Sequence, residues 1–137
     1  MIEARPTPAD IAGAIRNIPD FPKPGIQFKD ITPVLADARL FSGCIDLMIG
    51  HVKPGMVDAV VGIDARGFIF AAAAAMKLNA GFVPIRKKGK LPFQTYEQAY
   101  DLEYGTATVA VHIDALKPGS RVLLIDDLLA TGGTAAA

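Results

Sequence analysis

From Val57 onward, apolar runs too short for helices alternate with one longer apolar segment. Residues 57–63 and 81–85 predict buried strands, and 122–125 (Val-Leu-Leu-Ile) predicts a third. Between the first two, residues 68–78 carry five consecutive alanines and predict a helix that can lie close against a sheet. Asp64-Ala65-Arg66-Gly67 is the turn leading into it. Residues 97–103 and 106–113 alternate with period two and predict strands joined at Tyr104-Gly105 as a hairpin-like arm. A basic loop, 86–95, precedes the arm, and Lys117-Pro118-Gly119 marks the turn after it. Upstream, residues 7–18 predict a short amphipathic helix with Ile11, Ala14, Ile15 and Ile18 as its stripe. Residues 19–33 form a proline-rich ordered loop. Residues 37–52 predict a second helix with Leu40, Cys44, Leu47 and Met48 on one side.

Strand–helix–strand alternation implies an α/β domain with a mostly parallel twisted sheet flanked by helices. In such sheets ligands bind at the carboxyl ends of strands. The turns at 64–67, 86–90 and 126–134 all fall there. A length of 137 residues suits one domain, divided into an N-terminal helix and hood (1–33) and a core (34–137). The chain stops at Ala137, three residues into the helix that the Gly132-Gly133 turn opens. A strand–helix unit ordinarily needs more helix and another strand, so the core is expected to be short at its C-terminus.

Charge removes some partners from the picture. Fourteen basic and fourteen acidic residues balance, leaving no bulk footprint for nucleic acid or an anionic membrane. The apolar run at 67–76 is far short of the roughly 18 residues that span a bilayer. No apolar segment of secretory type opens the chain. One cysteine, Cys44, fits packing in a helix and a reducing, cytoplasmic setting. His51 and His112 lack partners at ligand spacing and read as structural or surface residues.

The densest chemistry lies in the final segment. A buried strand ends in Asp126-Asp127 and runs through Leu128-Leu129-Ala130 into Thr131-Gly132-Gly133-Thr134. Backbone N–H groups and hydroxyls in that order suit a phosphate at a helix N-terminus. The paired acids suit the hydroxyls of a sugar, so the segment points to a ribose carrying a 5′-phosphate. No Lys precedes Thr134, which disfavours a nucleoside triphosphatase, and no G-x-G-x-x-G is present. Arg86, Lys87, Lys88 and Lys90 form a compact basic cluster. Such a loop is often merely solvated, but clustered cations also suit a highly charged anion.

Taken together, IPDFPKPGIQFKDITPVLAD, GIDARGF, IRKKGKLP, YDLEYG and IDDLLATGGT resemble, in order, the motifs of the adenine phosphoribosyltransferase family, a branch of the type I phosphoribosyltransferases. The resemblance runs from about Ile15 to Thr134. It implies transfer of the phosphoribosyl group of phosphoribosyl pyrophosphate (PRPP) to adenine, giving AMP and pyrophosphate. It implies that Asp126 and Asp127 bind the ribose, and that Ala130, Thr131, Gly132, Gly133 and Thr134 hold the 5′-phosphate. Arg66, Arg86, Lys87 and Lys90 would contact pyrophosphate, with Lys88 the weaker candidate. Glu103 would assist proton transfer at the purine, and Tyr104 would pack on the reacting groups. Phe28 would stack on adenine between the backbone groups of Gln27 and Lys29, with Leu128 on the other face. Lys29 stands where some members have Arg. A non-proline cis peptide just before Arg66 is also implied. No protein metal cage is expected; Mg²⁺ would arrive with PRPP. A homodimer is implied, with no nucleic-acid or membrane partner. A different purine base, or a non-catalytic PRPP- or AMP-binding or inactive truncated form, are the alternatives.

Overall fold

The computed structural model describes residues 5–102 and 105–126. The chain divides into two compact units, Met1–Gly50 and His51–Ala137.

In the first unit, α1 spans Pro8–Ala14 behind a capping box: the Thr7 N–H donates to Asp10 Oδ2 (2.8 Å) and the Asp10 N–H to Thr7 Oγ1 (3.1 Å). The helix is shorter than the expected 7–18. Ile15 is already extended, and β1 (Arg16–Pro19) pairs antiparallel with β2 (Gln27–Asp30). Long-range pairing overrides the local helical stripe, and Pro19 disfavours helix at Ile18 in any case. The proline-rich segment is thus a hairpin rather than only a loop. Its tip is ordered by a bond from Gly25 N–H to Asp20 Oδ1 (2.8 Å) and holds a cis Phe21–Pro22 bond. Two further helices follow, α2 (Thr32–Ala36) and α3 (Ala38–Ile49). Asp37 caps α3 by accepting from the Leu40 N–H. Its buried line is centred on Ile45, 1% exposed, with Gly43. The stripe expected through Leu47 is corrected, because Leu47 is 49% exposed. The i, i+4, i+7 set Phe41, Ile45 and Met48 competes with it, and Ile45 wins the core. Cys44 is half-buried, and that burial pushes its thiol above the ordinary value.

The second unit holds β3 (Ala59–Ile63), α4 (Arg66–Leu78), β4 (Gly81–Lys87), β5 (Thr95–Leu102), β6 (Gly105–His112) and β7 (Val122–Ile125). These strands form one sheet in the order β5-β6-β4-β3-β7. It is mixed: β4, β3 and β7 run parallel, while β4–β6 and β6–β5 are antiparallel. The α/β order expected from the alternation is present, and the arm supplies the antiparallel half. All five residues of β3 are buried, as a central parallel strand requires.

Alternate residues of β3 serve two layers. Ala59 and Val61 pack with Val83, covered by Ile85, Val111, Ala115 and Leu116. On the other face α4 buries Gly67, Phe70, Ala71, Ala74, Ala75 and Leu78. Here the approach is unusually close. A β-carbon on Gly62 would lie 2.5 Å from the Ala71 Cβ and 2.9 Å from the Phe82 ring. Phe82 in turn meets Phe68 edge to face at 5.5 Å. Asn79 ends α4 in the left-handed conformation (φ 51°) and donates its N–H back to the Ala75 carbonyl.

At the opposite end of the sheet, Asp58 and Arg121 lock the starts of β3 and β7. The Arg121 N–H donates to Asp58 Oδ2 (2.8 Å), and the Asp58 N–H donates to the Arg121 carbonyl (2.8 Å). Arg121's guanidinium adds an ion pair at 3.6 Å. The backbone bond from Arg121 above all holds the Asp58 carboxyl below the usual carboxylate range, outweighing the opposing desolvation, with smaller help from Arg121's charge and side-chain bond.

Two outcomes follow. Gly62→Ala should destabilise the fold by about 1–3 kcal/mol, the range for overpacking a tight contact, seen as a lower urea midpoint. An unchanged midpoint would mean α4 can shift away without cost. For Asp58, a depressed folded-state pKa stabilises above the ordinary carboxylate range and loses that contribution as pH falls through the depressed value. Asp58→Asn should therefore lower the melting temperature at neutral pH, with the gap to wild type closing as the pH falls through the depressed value.

Candidate active site

Register brings three strand ends to one edge. Ile63 pairs with Ile85, and Gly62 pairs with Ile125. The next residues, Asp64, Arg86 and Asp126, therefore emerge at the same carboxyl side of the sheet. The chain leaves β3 through α4 to reach β4 on one side, while β7 lies on the other. The strand order thus switches at β3, the place where open α/β sheets form ligand crevices.

Arg66 opens α4 at this edge and is half-buried. The helix begins two residues earlier than the expected 68, so the turn is reduced to Asp64-Ala65; the bond between them is the non-proline cis peptide. Gly67 then allows the first turn to approach β7. A β-carbon there would lie 3.1 Å from Asp126 Oδ1 and 3.3 Å from the Ile125 carbonyl. Arg66 and Asp126 are thereby carried on neighbouring backbone at the start of the helix. The positive end of the 13-residue helix favours an anion here.

Arg86 was expected in a loop. It belongs to β4, with Arg86 opposite Ala110 and Lys87 opposite Val109 across β6. Its Nε donates to Asp64 Oδ2 at 3.0 Å; the Asp64 side chain is 19% exposed and that of Arg86 36%. The Asp64 N–H also donates to the Ile85 carbonyl (2.9 Å), tying the two strand ends together. Asp64 was not among the residues singled out in the sequence. Its position after a buried strand was visible, but the Ile63–Ile85 register that brings Arg86 to it was not.

The rest of the basic cluster separates by partner. The Lys88 N–H donates to the Thr108 carbonyl (3.0 Å), and its ammonium lies 3.5 Å from Glu97 Oε2. Lys87 and Lys90 are exposed and flank Gly89, whose φ of 88° shapes the turn closed by the Lys90 N–H on the Lys87 carbonyl. The true loop is therefore 88–94.

In the first unit, Phe28 is half-buried and meets Phe21 edge to face at 5.1 Å. Gln27 and Lys29 are exposed, and Gln27 Oε1 accepts from Asn17 Nδ2 at 2.7 Å. Being two apart on β2, Gln27 and Lys29 direct their backbone polar groups to the same side of the strand. Glu103, Tyr104, Asp127, Leu128, Ala130, Thr131, Gly132, Gly133 and Thr134 lie outside the described residues. His51 is exposed, and His112 is half-buried and accepts from Phe93. Among the described residues, no group of three or more His, Cys, Asp or Glu is placed to hold a metal ion, and no helix is long and apolar enough to cross a membrane.

This geometry has relatives. Residues 31–136 match the phosphoribosyl transferase domain family. The chain is 61% identical over 134 residues to an adenine phosphoribosyltransferase of Acidothermus cellulolyticus, covering 95% of this chain and 76% of that protein. It superposes on the crystal structure of adenine phosphoribosyltransferase from Rhodothermus marinus with a TM-score of 0.86 and 54% identity, covering 93% of this chain and 72% of that one. The Saccharomyces cerevisiae enzyme, crystallised with an imino-altritol bisphosphate and adenine, gives 0.82 at 37% identity, with 94% and 76% covered. The chain belongs to the phosphoribosyltransferase family, in its adenine phosphoribosyltransferase branch.

The Asp64–Arg86 pair makes a measurable prediction. In a double-mutant cycle with Asp64→Asn and Arg86→Met, urea denaturation should give a coupling of about 0.5–1 kcal/mol, small because Arg86 is partly solvated. Zero coupling would reduce the pair to a coincidence of strand ends.

Proposed function

We propose that this chain transfers the 5-phosphoribosyl group of PRPP to N9 of adenine, releasing AMP and pyrophosphate. One observation carries the reading most: in a chain 61% identical to an adenine phosphoribosyltransferase, the α4 start meets the β7 end, so that Arg66 and Asp126 share one sheet edge with Asp64 and Arg86. The bond between the anomeric carbon and pyrophosphate breaks, and the bond to N9 forms. Asp126 and Asp127 hold the ribose hydroxyls, and their negative charge favours the oxocarbenium-like transition state. Ala130, Thr131, Gly132, Gly133 and Thr134 hold the 5′-phosphate.

Pyrophosphate leaves toward Arg66, Arg86, Lys87 and Lys90. PRPP is the Mg²⁺ complex, so the cation enters with substrate. Lys88, already engaged by Glu97, contributes least. Phe28 stacks on adenine, Gln27 and Lys29 read its edge through backbone groups, and Leu128 covers the other face. Glu103 assists loss of the N9 proton, and Tyr104 packs over the reacting groups. The 88–94 loop closes to keep water from PRPP. The working form is a cytoplasmic homodimer that engages neither nucleic acid nor membrane, and the chain acts as one phosphoribosyltransferase domain.

The test is AMP formation by this chain from adenine, PRPP and Mg²⁺, run beside Asp127→Asn. Turnover with adenine, at least about 100-fold lower in the variant, supports the reading. Preference for guanine or hypoxanthine would change the base. A folded chain that binds PRPP without turnover would favour a non-catalytic binder.

A further inference from the structure

The loop that carries Lys90 is held at both ends by β6, and one of those ties is a side chain. At the outgoing end the Lys88 N–H donates to the Thr108 carbonyl at 3.0 Å. At the returning end the β5–β6 ladder pairs Thr95 with His112, and the Ile113 N–H donates to the Gln94 carbonyl at 3.0 Å. Phe93 is the next residue outward. Its N–H is met by His112, which accepts at Nε2 at 3.3 Å. The imidazole also lies edge to face with the Phe93 ring, centroids 6.2 Å apart. Accepting at Nε2 puts the proton of the neutral ring on Nδ1.

We infer that His112 is a positioning residue for the basic loop: by holding Phe93 it fixes where 88–94 departs from the arm, and so where the loop hinges when it closes over substrate. The inference builds on the proposed transferase reading, but its structural part is independent of it. Phe93 is 55% exposed, so little apolar burial competes with this tether. Local opening of a segment with few buried contacts is governed by such single bonds. His112 acts through Phe93 and touches no reacting atom.

The test uses three variants of the full chain. His112→Ala removes acceptor and ring, His112→Phe keeps a ring without an acceptor, and His112→Gln returns an acceptor oxygen near the Nε2 position. Tryptic cleavage at Lys90–Leu91 in the ligand-free protein reads loop opening. His112→Ala and His112→Phe should be cleaved about fivefold faster than wild type, the scale of one net hydrogen bond. His112→Gln should return to within about twofold. In the assay, the first two should raise KM for PRPP more than they change kcat. They should also release more ribose 5-phosphate per AMP, and His112→Gln should reverse both. Unchanged cleavage in His112→Ala, or His112→Gln cleaved as fast as His112→Ala, overturns the inference. If His112→Ala does not fold, amide exchange in the wild-type chain decides. Protection of the Phe93 N–H by at least about tenfold supports the tether, and exchange at the unstructured-chain rate removes it. A wild-type chain that makes no AMP defeats the transferase reading while leaving the cleavage result to decide His112.

Discussion

Everything at the site edge depends on how closely α4 lies on the sheet. Side chains ordinarily keep a helix about 10 Å from a sheet, the thickness of two interleaved layers. Here Gly62 contributes none and Ala71 only a methyl group, and between them there is no room for another carbon. One turn earlier, Gly67 performs the same office against β7. These contacts fix the helix at two points along its axis, leaving its first turn little freedom relative to the strand ends. The run of alanines behind them is thus a geometric device as much as a core.

That placement concentrates charge without burying any of it fully. Among the described residues, no charged residue is buried. Asp64 and Arg86 are instead half-covered at the rim, Asp64 just past the end of β3 and Arg86 within β4. A fully buried pair would cost several kcal/mol in desolvation and would be reluctant to exchange partners. A half-solvated pair keeps Arg86 oriented while leaving the guanidinium nitrogens other than Nε able to meet an incoming anion. The same balance suits a site whose ligand carries several negative charges in and then releases them.

How much of this was legible in the chain depended on the range of each interaction. The β3–α4–β4 unit, the arm and the final strand follow from period and from turn residues, all local signals. Features set by distant partners did not. Ile18 continues the helical stripe of Ile11, Ala14 and Ile15, yet residues 16–18 pair with 28–30 across the hairpin. Leu47 lost its expected place to Ile45 because two stripes on α3 were equally good locally. Arg66, Arg86 and Asp126 stood out through motif and position. Asp64 and His112 did not, since their partners lie 22 and 19 residues away and only strand register delivers them.

Register also explains why the basic loop has an architecture at all. A seven-residue loop rich in Lys, Gly and Pro has little of its own to hold it beyond the turn closed by the Lys90 N–H on the Lys87 carbonyl, and its other ties run to β6 and the arm. Thr108 receives one end, His112 the other, and Glu97 on β5 draws in the Lys88 ammonium. Lys87 stays on β4, so the cluster is split between a fixed strand and a tethered loop. On the proposed reading, a cation on the strand would orient an anion from the moment it enters, whereas one on the loop would add its charge only as the loop closes. On the same reading, placing both kinds within the five positions 86–90 would let one short segment bind and then enclose, with the arm as the hinge of the second step.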